Sequence, residues 1–326
     1  MTKLKTAEYV RKGHPDRVCD IISDAIVDEY IKQDPNSRIA VDVFGCHGII
    51  TVGGEITSNA TINIPNIIKS TYKEIGYKDE VGVQVNIVKQ SSEIGQHANQ
   101  GAGDSGIVIG YATNETEEML PLEVVLAKRI CSKLDTLPWL KPDGKVQVTL
   151  IGKGIEDLVV SVQGDLTKKE ELRKILQNDF PHKKLHLTVY EIGGFEADSG
   201  LTGRKNVLWY GPRIPTGGGA FAGKDATKID RSGAYYARRV AIEALKKYNL
   251  EECLVELAFI IGRDKMVMAR IKGIDKNKEV KNVVLPGLED MGVARMIEIL
   301  NLKESIFKQT SLKGHFGHKD FNWEMY

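Results

Sequence analysis

Strands and helices are mixed along this sequence without the strict strand–helix–strand alternation that a parallel sheet requires, so α+β is a better reading than doubly wound α/β. Asp20 to Lys32 reads as an amphipathic helix, with Ile22, Ala25, Ile26 and Tyr30 on one face and Asp20, Ser23, Asp24 and Asp28 on the other. Asp34-Pro35-Asn36 ends it. Two strands follow, Ile39–Phe44 and Ile49–Ile56, around a Gly45–Gly48 turn. Pro65 fits the first turn of a helix that Gly76 closes, and Val81–Val88 alternates as a strand. Thr113–Leu120 reads as loop and Pro121–Leu134 as helix. Val146–Leu150 and Leu158–Gln163 read as strands. Thr167-Lys168-Lys169-Glu170 forms a capping box for a helix reaching Phe180, and Leu185–Ile192 follows as a strand. The last third predicts a helix over Arg231–Tyr248, strands over Leu254–Ile261 and Met266–Ile271, and a helix over Leu288–Leu300.

A short internal echo points to three related units. Gly103-Asp104-Ser105-Gly106 precedes the apolar Ile107–Ile109, and Ala197-Asp198-Ser199-Gly200 precedes Leu201. The match is short enough that chance is a serious rival. No low-complexity linker separates the units, so they are expected to pack together.

Composition excludes several classes. With 45 Lys+Arg against 44 Asp+Glu in 326 residues, the net charge of +1 gives no electrostatic case for nucleic acid or an anionic membrane. Cys19, Cys46, Cys131 and Cys253 form no CxxC pair, which argues against structural zinc and a disulfide framework and suits a reducing cytosol. Met1-Thr2-Lys3-Leu4-Lys5-Thr6 has no apolar signal core, and no apolar run approaches the roughly 18–20 residues of a membrane span. A soluble cytoplasmic protein is expected.

The chemistry concentrates in Gly217 to Asp230, where four glycines, two lysines and two aspartates share one short segment. Glycines let backbone N–H groups approach an anion, lysines neutralise phosphate and aspartates hold Mg²⁺. Gly218 to Asp225 nearly fits the P-loop pattern, but Asp225 stands where Ser/Thr belongs and two prolines replace the buried strand. A phosphate loop of another kind is the reading, with a solvated Gly-rich loop as its rival. Asp230 either binds metal or caps the helix starting at Arg231, and could do both. Gly101–Gly106 fits GxGxxG, yet polar residues precede it and a strand-like Ile107–Tyr111 follows, which is the wrong context for a dinucleotide site. Asp104 there is either a turn hydrogen-bonder or a ligand contact. Gly13-His14-Pro15-Asp16-Arg17 repeats the theme before the first helix: an acid or electrostatic catalyst and a metal ligand, or simply a helix start with Asp16 at its positive end. Arg204-Lys205, on a Gly-framed turn, suits phosphate oxygens or is an ordinary exposed basic pair. His47, His97, His182, His186, His315 and His318 lack metal-ligand spacing and read as structural or surface residues.

Together these motifs resemble the S-adenosylmethionine synthetase (methionine adenosyltransferase) family. The matching stretches run from Gly13-His14-Pro15-Asp16 to Gly314-His315-Phe316-Gly317. They include Val52–Thr57, Gly101–Gly106, Gly110–Thr116, Leu137–Leu140, Lys141–Thr149, Asp198–Lys205 and Gly217–Ser232. Many pieces in the right order make the resemblance specific, although no single one is decisive.

The resemblance implies attack of methionine sulfur on C5′ of ATP, expelling triphosphate that is then cleaved to pyrophosphate and phosphate. It implies that His14 contacts ATP near the breaking bond. Asp16 and Asp230 would hold Mg²⁺, two ions per site. Lys145, Arg204, Lys205 and Lys224 would bind polyphosphate, and Asp143, Tyr190 and Ala220 would surround the nucleoside. Glu55, Gln90, Asp198 and Lys228 would position methionine. Asp104 would lie near the developing sulfonium. It further implies three similar α+β units around a pseudo-threefold axis, intertwined, at about 1–98, 99–193 and 194–326, and a homodimer with shared sites, open to pairing into a dimer of dimers.

The sequence also departs from the family pattern. Arg11 and Lys12 replace acidic and small residues, and Arg17 replaces a lysine; these changes could keep phosphate binding but alter its geometry. Asp42 stands where a potassium-binding Glu is usual, which weakens the expectation of K⁺. Tyr190 replaces a nucleoside-stacking Phe, and Phe195 a proline. The segment from Gln90-Ser91-Ser92-Glu93-Ile94 to Gly101, a gate in the family, is several residues short, which predicts a more open site and broader acceptance of larger methionine analogues. A catalytically weak relative acting as a regulatory or oligomeric partner is the second reading. An unrelated ATP-binding kinase or NTPase is the third.

Overall fold

The computed structural model describes residues 4–90 and 101–325. Its strands are β1 (Leu4–Val10), β2 (Arg38–Cys46), β3 (Ile49–Thr57), β4 (Gly82–Val88), β5 (Gly106–Thr113), β6 (Leu140–Ile151), β7 (Gly154–Gly164), β8 (His182–Tyr190), β9 (Gly200–Leu201), β10 (Glu252–Phe259), β11 (Met268–Ile274) and β12 (Val280–Val283). Its α-helices are α1 (Pro15–Gln33), α2 (Ile64–Ile75), α3 (Leu122–Leu134), α4 (Lys169–Asp179), α5 (Ile229–Lys247), α6 (Val293–Ile299) and α7 (Phe307–Lys313).

Among the described residues, three four-stranded sheets form, ordered β4-β3-β2-β9, β1-β6-β7-β8 and β12-β11-β10-β5. Each is built on a long helix followed by an antiparallel hairpin: α1 then β2–β3, α3 then β6–β7, α5 then β10–β11. Each helix packs on the hairpin that follows it. Fully or almost fully buried side chains line these contacts. They include Ile22 and Ile26 with Val43 and Val52, Ala127 and Ile130 with Val146 and Val148, and Ala237 and Val240 with Val255 and Leu257. Each large apolar side chain so buried contributes roughly 1.5–3 kcal/mol.

The strand before each long helix joins a different sheet. β1 precedes α1 but pairs with β6; β5 precedes α3 but pairs with β10; β9 precedes α5 but pairs with β2. The exchange runs from the first unit to the second, the second to the third and the third back to the first. It closes a ring of three α+β units. The Asp-Ser-Gly echo sits at two of these exchange points, before β5 and before β9. In both, the Ser amide donates to the preceding Asp carboxylate at 2.7 Å.

Several local expectations need correction. β1, β12 and α7 were not legible, and the helix expected over Leu288–Leu300 is only Val293–Ile299. Asp165, not Thr167, caps the α4 region: it accepts the Thr167 amide at 2.8 Å and hydroxyl at 2.6 Å, opening a 3-10 turn before the helix. Asp230 is not the cap of α5; it lies in the first turn, and Lys228 is the N-cap residue. The polar face of α1 is not solvated, since Asp20, Ser23, Asp24 and Asp28 are all buried. Carboxylates survive there because each accepts a backbone N–H group from the chain beyond residue 200.

Candidate functional site

The first cluster forms where α1 begins. Gly13 N–H donates to the Pro142 carbonyl at 3.1 Å, and the Tyr77 hydroxyl donates to the Gly13 carbonyl. A Cβ on Gly13 would lie 2.5 Å from Pro142, so only glycine brings the chain this close. His14 is thereby fixed as the N-cap of α1, its Nδ1 accepting the Asp16 amide at 3.3 Å. That bond leaves the proton of a neutral ring on Nε2. Burial, followed by the charge of Lys205, lowers the His14 pKa to about 4, so the ring is neutral at pH 7.

Asp16 is fully buried and surrounded by donors. Its Oδ1 accepts the Leu201 amide at 3.0 Å and Arg204 Nε at 2.9 Å, and its Oδ2 takes Lys205 Nζ at 2.6 Å. Lys145 and Asp198 complete the charged groups that act on His14. Lys145 is held by Glu8 on β1 at 3.1 Å. Glu8 was missed because the alternation of Leu4–Val10 was not read as a strand. Behind His14, Asp143 accepts the Gly194 amide at 2.9 Å and hydrogen-bonds Tyr190, and burial raises its pKa.

The second cluster lies where the Gly-rich segment meets α5. Lys224 pairs with Asp230, and a Cβ on Gly219 would fall 2.0 Å from the Asp230 carboxyl carbon. Lys224 also bridges Ala40 on β2, whose neighbour across the sheet is Glu55 on β3. Glu55 in turn faces Val88 on β4, two residues before Gln90, whose amide donates to Thr57 Oγ1 at 3.2 Å. Lys228 Nζ reaches the Gly103 carbonyl at 3.3 Å, placing it beside Asp104. Asp42 lies on the same outer sheet face as Glu55, exposed and opposite Gly53. Ala220 joins the clusters: it packs against Gly203 just before Arg204, while Asn206 Nδ2 donates to the Gly219 carbonyl at 2.8 Å.

Two expected contacts are not there. Arg17 does not face the phosphate-type cluster. It is buried over the Trp209 and Tyr9 rings, 5.1 and 5.5 Å from their centroids, and donates to the Ser311 carbonyl. Arg11 is likewise buried, holding Asp135 at 2.8 Å and the Lys141 and Asp143 carbonyls. Both are clamps between segments, not anion ligands. The short gate, Ser91 to Gln100, and His97 within it lie outside the described residues.

Among the described residues, no three His, Cys, Asp or Glu side chains gather into a metal cage. One carboxylate in each cluster, already in contact with cations, suits Mg²⁺ bound through substrate phosphates and water, because that ion rarely takes an all-protein cage. No described helix is long and apolar enough to cross a membrane.

Residues 2–99, 99–191 and 192–325 match in turn the N-terminal, central and C-terminal domains of S-adenosylmethionine synthetase. The chain is 36% identical over 363 aligned positions to S-adenosylmethionine synthase of Aquifex aeolicus, covering 99% of this chain and 96% of that relative. It is 36% identical over 378 positions to the Thermus thermophilus enzyme, covering 99% and 95%. A solved structure described as an unusual S-adenosylmethionine synthetase from Campylobacter jejuni matches with a TM-score of 0.88 at 30% identity, covering 98% of this chain and 96% of that one.

Proposed function

The chain belongs to the S-adenosylmethionine synthetase family as a shortened member and is a methionine adenosyltransferase; from that premise we propose that its two clusters are the two kinds of half-site in a homodimer. The observation that carries this reading is the Asp16 cluster, where one buried carboxylate gathers Arg204 and Lys205 while the Asp16 amide donates to His14 Nδ1.

The thioether of methionine is a neutral nucleophile and needs no general base. The barrier lies in the triphosphate leaving group, which gathers negative charge as the C5′–O bond breaks. Fixed cations oppose that charge, and each such contact is worth roughly 3–4 kcal/mol of barrier. Arg204, Lys205 and Lys145 serve as those cations from one subunit, Lys224 from the other. Their present carboxylate partners, Asp16, Glu8 and Asp230, hold them in place until phosphate oxygens arrive. His14, neutral with its proton on Nε2, donates a hydrogen bond to the departing oxygen. Asp143, Tyr190 and Ala220 seat the nucleoside. Glu55, Gln90, Asp198 and Lys228 orient methionine, and Asp104 faces the sulfonium as its positive charge develops. Asp16 and Asp230 would hold two Mg²⁺ ions, which would supply further neutralisation of the phosphate charge. Asp42 is the candidate K⁺ ligand.

The outer face of the β2–β3–β4 sheet supports the dimer. Phe44, Ile49 and Val88 are 42%, 45% and 57% exposed on the face that carries Asp42 and Glu55. Apolar residues clustered around a candidate site mark an interface. The free cysteines, three of them buried, suit a cytoplasmic setting.

Incubation with ATP, Mg²⁺ and methionine, with and without K⁺, tests the reading. S-adenosylmethionine, pyrophosphate and phosphate should appear in equal amounts and only with methionine. ATP left intact, or cleaved to ADP without the sulfonium, would overturn it.

A further inference from the structure

One face of α1 carries Asp16, Asp20, Asp24 and Asp28 at four-residue steps, which stack along a helix. All four are at most 5% exposed. Together they accept five backbone amides: Leu201 on Asp16, Gly203 on Asp20, Gly223 on Asp24, and Phe307 and Lys308 on Asp28, at 2.8–3.0 Å. The first three amides belong to the segments that carry Arg204, Lys205 and Lys224.

Asp20 occupies the pivot of this arrangement. The chain from Leu201 to Lys205 touches Asp16 at both ends, through the Leu201 amide and through the Arg204 and Lys205 side chains. Between them, Gly203 turns the chain with φ +82°, and a Cβ there would lie 2.5 Å from the Ala220 Cβ. Gly203 is therefore wedged against Ala220 on one side and bonded to Asp20 at 2.8 Å on the other. His14, Asp16 and Asp20 all ride on one helix, so the Asp20 bond sets the register of the basic pair against the imidazole.

We propose that Asp20 is a positioning residue for adenosyl transfer and triphosphate cleavage: its carboxylate fixes the Gly203 amide and so holds Arg204 and Lys205 in line with His14 and Asp16. The proposal rests on reading that turn as polyphosphate-binding. Displacing a catalytic group by about 1 Å can cost on the order of 100-fold in rate. Asp28, which bonds amides of α7 and touches neither cluster, is the internal control.

The test compares wild type, Asp20→Ala, Asp20→Asn and Asp28→Ala in synthesis and in tripolyphosphate hydrolysis, each beside thermal unfolding. Asn keeps an acceptor oxygen at the same reach. Asp20→Ala should lower kcat of both reactions about tenfold or more per folded protein, and Asp20→Asn should recover to within about threefold. Asp28→Ala should lower Tm and leave kcat within about twofold. In a Lys205→Ala background, Asp20→Ala should cost less than about twofold further. If Asp20→Ala does not fold, Asp20→Ser, too short to reach the amide, takes its place. Unchanged kcat in the Ala or Ser variant, an Asn variant as impaired as Ala, or independent multiplication with Lys205→Ala would each overturn the proposal. Calorimetric binding of tripolyphosphate with Mg²⁺ separates it from the parent reading. Wild-type binding that weakens about tenfold in both Lys205→Ala and Asp20→Ala supports positioning even if synthesis fails. No wild-type binding overturns both.

Discussion

Replacing Arg231 by Met should be among the most damaging single changes outside the two clusters. The guanidinium is fully buried, paired with the equally buried Asp24, and stacked over Phe307 with its carbon 4.1 Å from the ring centroid. Met preserves much of the volume, so the cost is electrostatic. Asp24 would keep the Gly223 amide at 2.9 Å and the Ser311 hydroxyl at 2.6 Å but lose its ion pair with Arg231, the only one it makes among the described residues. Breaking one side of such a pair costs about 3–5 kcal/mol. For a chain of this size that is a fall in Tm of roughly 4–8 °C. The pH dependence identifies the cause. Burial already raises the Asp24 pKa, and Arg231 is the largest influence lowering it. Without Arg231 the folded-state pKa rises further above the unfolded value. The resulting stability is then fully present at low pH and lost as pH climbs through the raised pKa. The deficit of Arg231→Met against wild type should therefore be large at pH 8 and shrink at pH 5, measured by thermal or urea unfolding. An equal deficit at both pH values, or a Tm change below about 2 °C, would refute the reasoning.

Three further outcomes follow from the geometry. Gly219→Ala should cut kcat at least about tenfold with little change in overall fold, because its Cβ would displace the Asp230 carboxylate from Lys224; unaltered turnover would show that this carboxylate is not needed where it sits. The His14 pKa is lowered to about 4, so its contribution to stability is complete above about pH 6.5 and lost as pH falls toward 4; an NMR titration showing His14 charged at pH 6 would contradict this. Chelating divalent metal should abolish turnover while shifting Tm of the substrate-free protein by less than about 2 °C, since no protein-only cage is present among the described residues; a large apo Tm drop on chelation would argue for a structural metal.

The long helices and their hairpins were legible because each is a local pattern. Ile39–Phe44 and Ile49–Ile56 alternate around a glycine turn, and the structure extends the first by one residue before and two after and the second by one. Of the exchanged strands, β5 shows in the strand-like Ile107–Tyr111, but β1 and β9 were not legible, because what stabilises them is remote. β1 pairs with β6, and Leu4 lies opposite Ile151 in register; nothing in Leu4–Val10 announces that partner. β9 is two residues long, and its pairing with Phe44 and Gly45 is decided by the neighbouring Asp16 and Val43. The same reason explains the site. The residues of the first cluster come from α1, β6 and the 198–205 segment, and sequence spacing carries no distance between them. What carried them was resemblance, and resemblance misjudged Arg17 and Arg11 because it assigns a role to a position without saying where the side chain points.

The buried aspartates of α1 are the clearest case of sequence pattern and structure disagreeing for a physical reason. A four-residue spacing of Asp on a helix reads as a wet face, since an unpaired buried carboxylate is too costly to keep. Here burial raises Asp20 to about 7 and Asp28 to about 6 even with their amide partners in place. Near neutral pH both therefore remain a cost to stability, present as pH rises through those values and relieved as it falls below them. A stripe of apolar residues would pack α1 without that cost. It could not, however, receive five backbone amides from segments that belong to another unit of the ring. The strand exchange brings those segments to α1, and the carboxylates give them directional bonds that an apolar contact cannot supply. On the proposed role of Asp20, stability at neutral pH is thus traded for registration of the basic turn against His14. A helix whose Asp20 and Asp28 were both replaced by Leu should accordingly lose the share of the pH dependence that these two carboxylates contribute while losing turnover through Asp20. Retained turnover in that double variant would mean that packing alone can hold the turn.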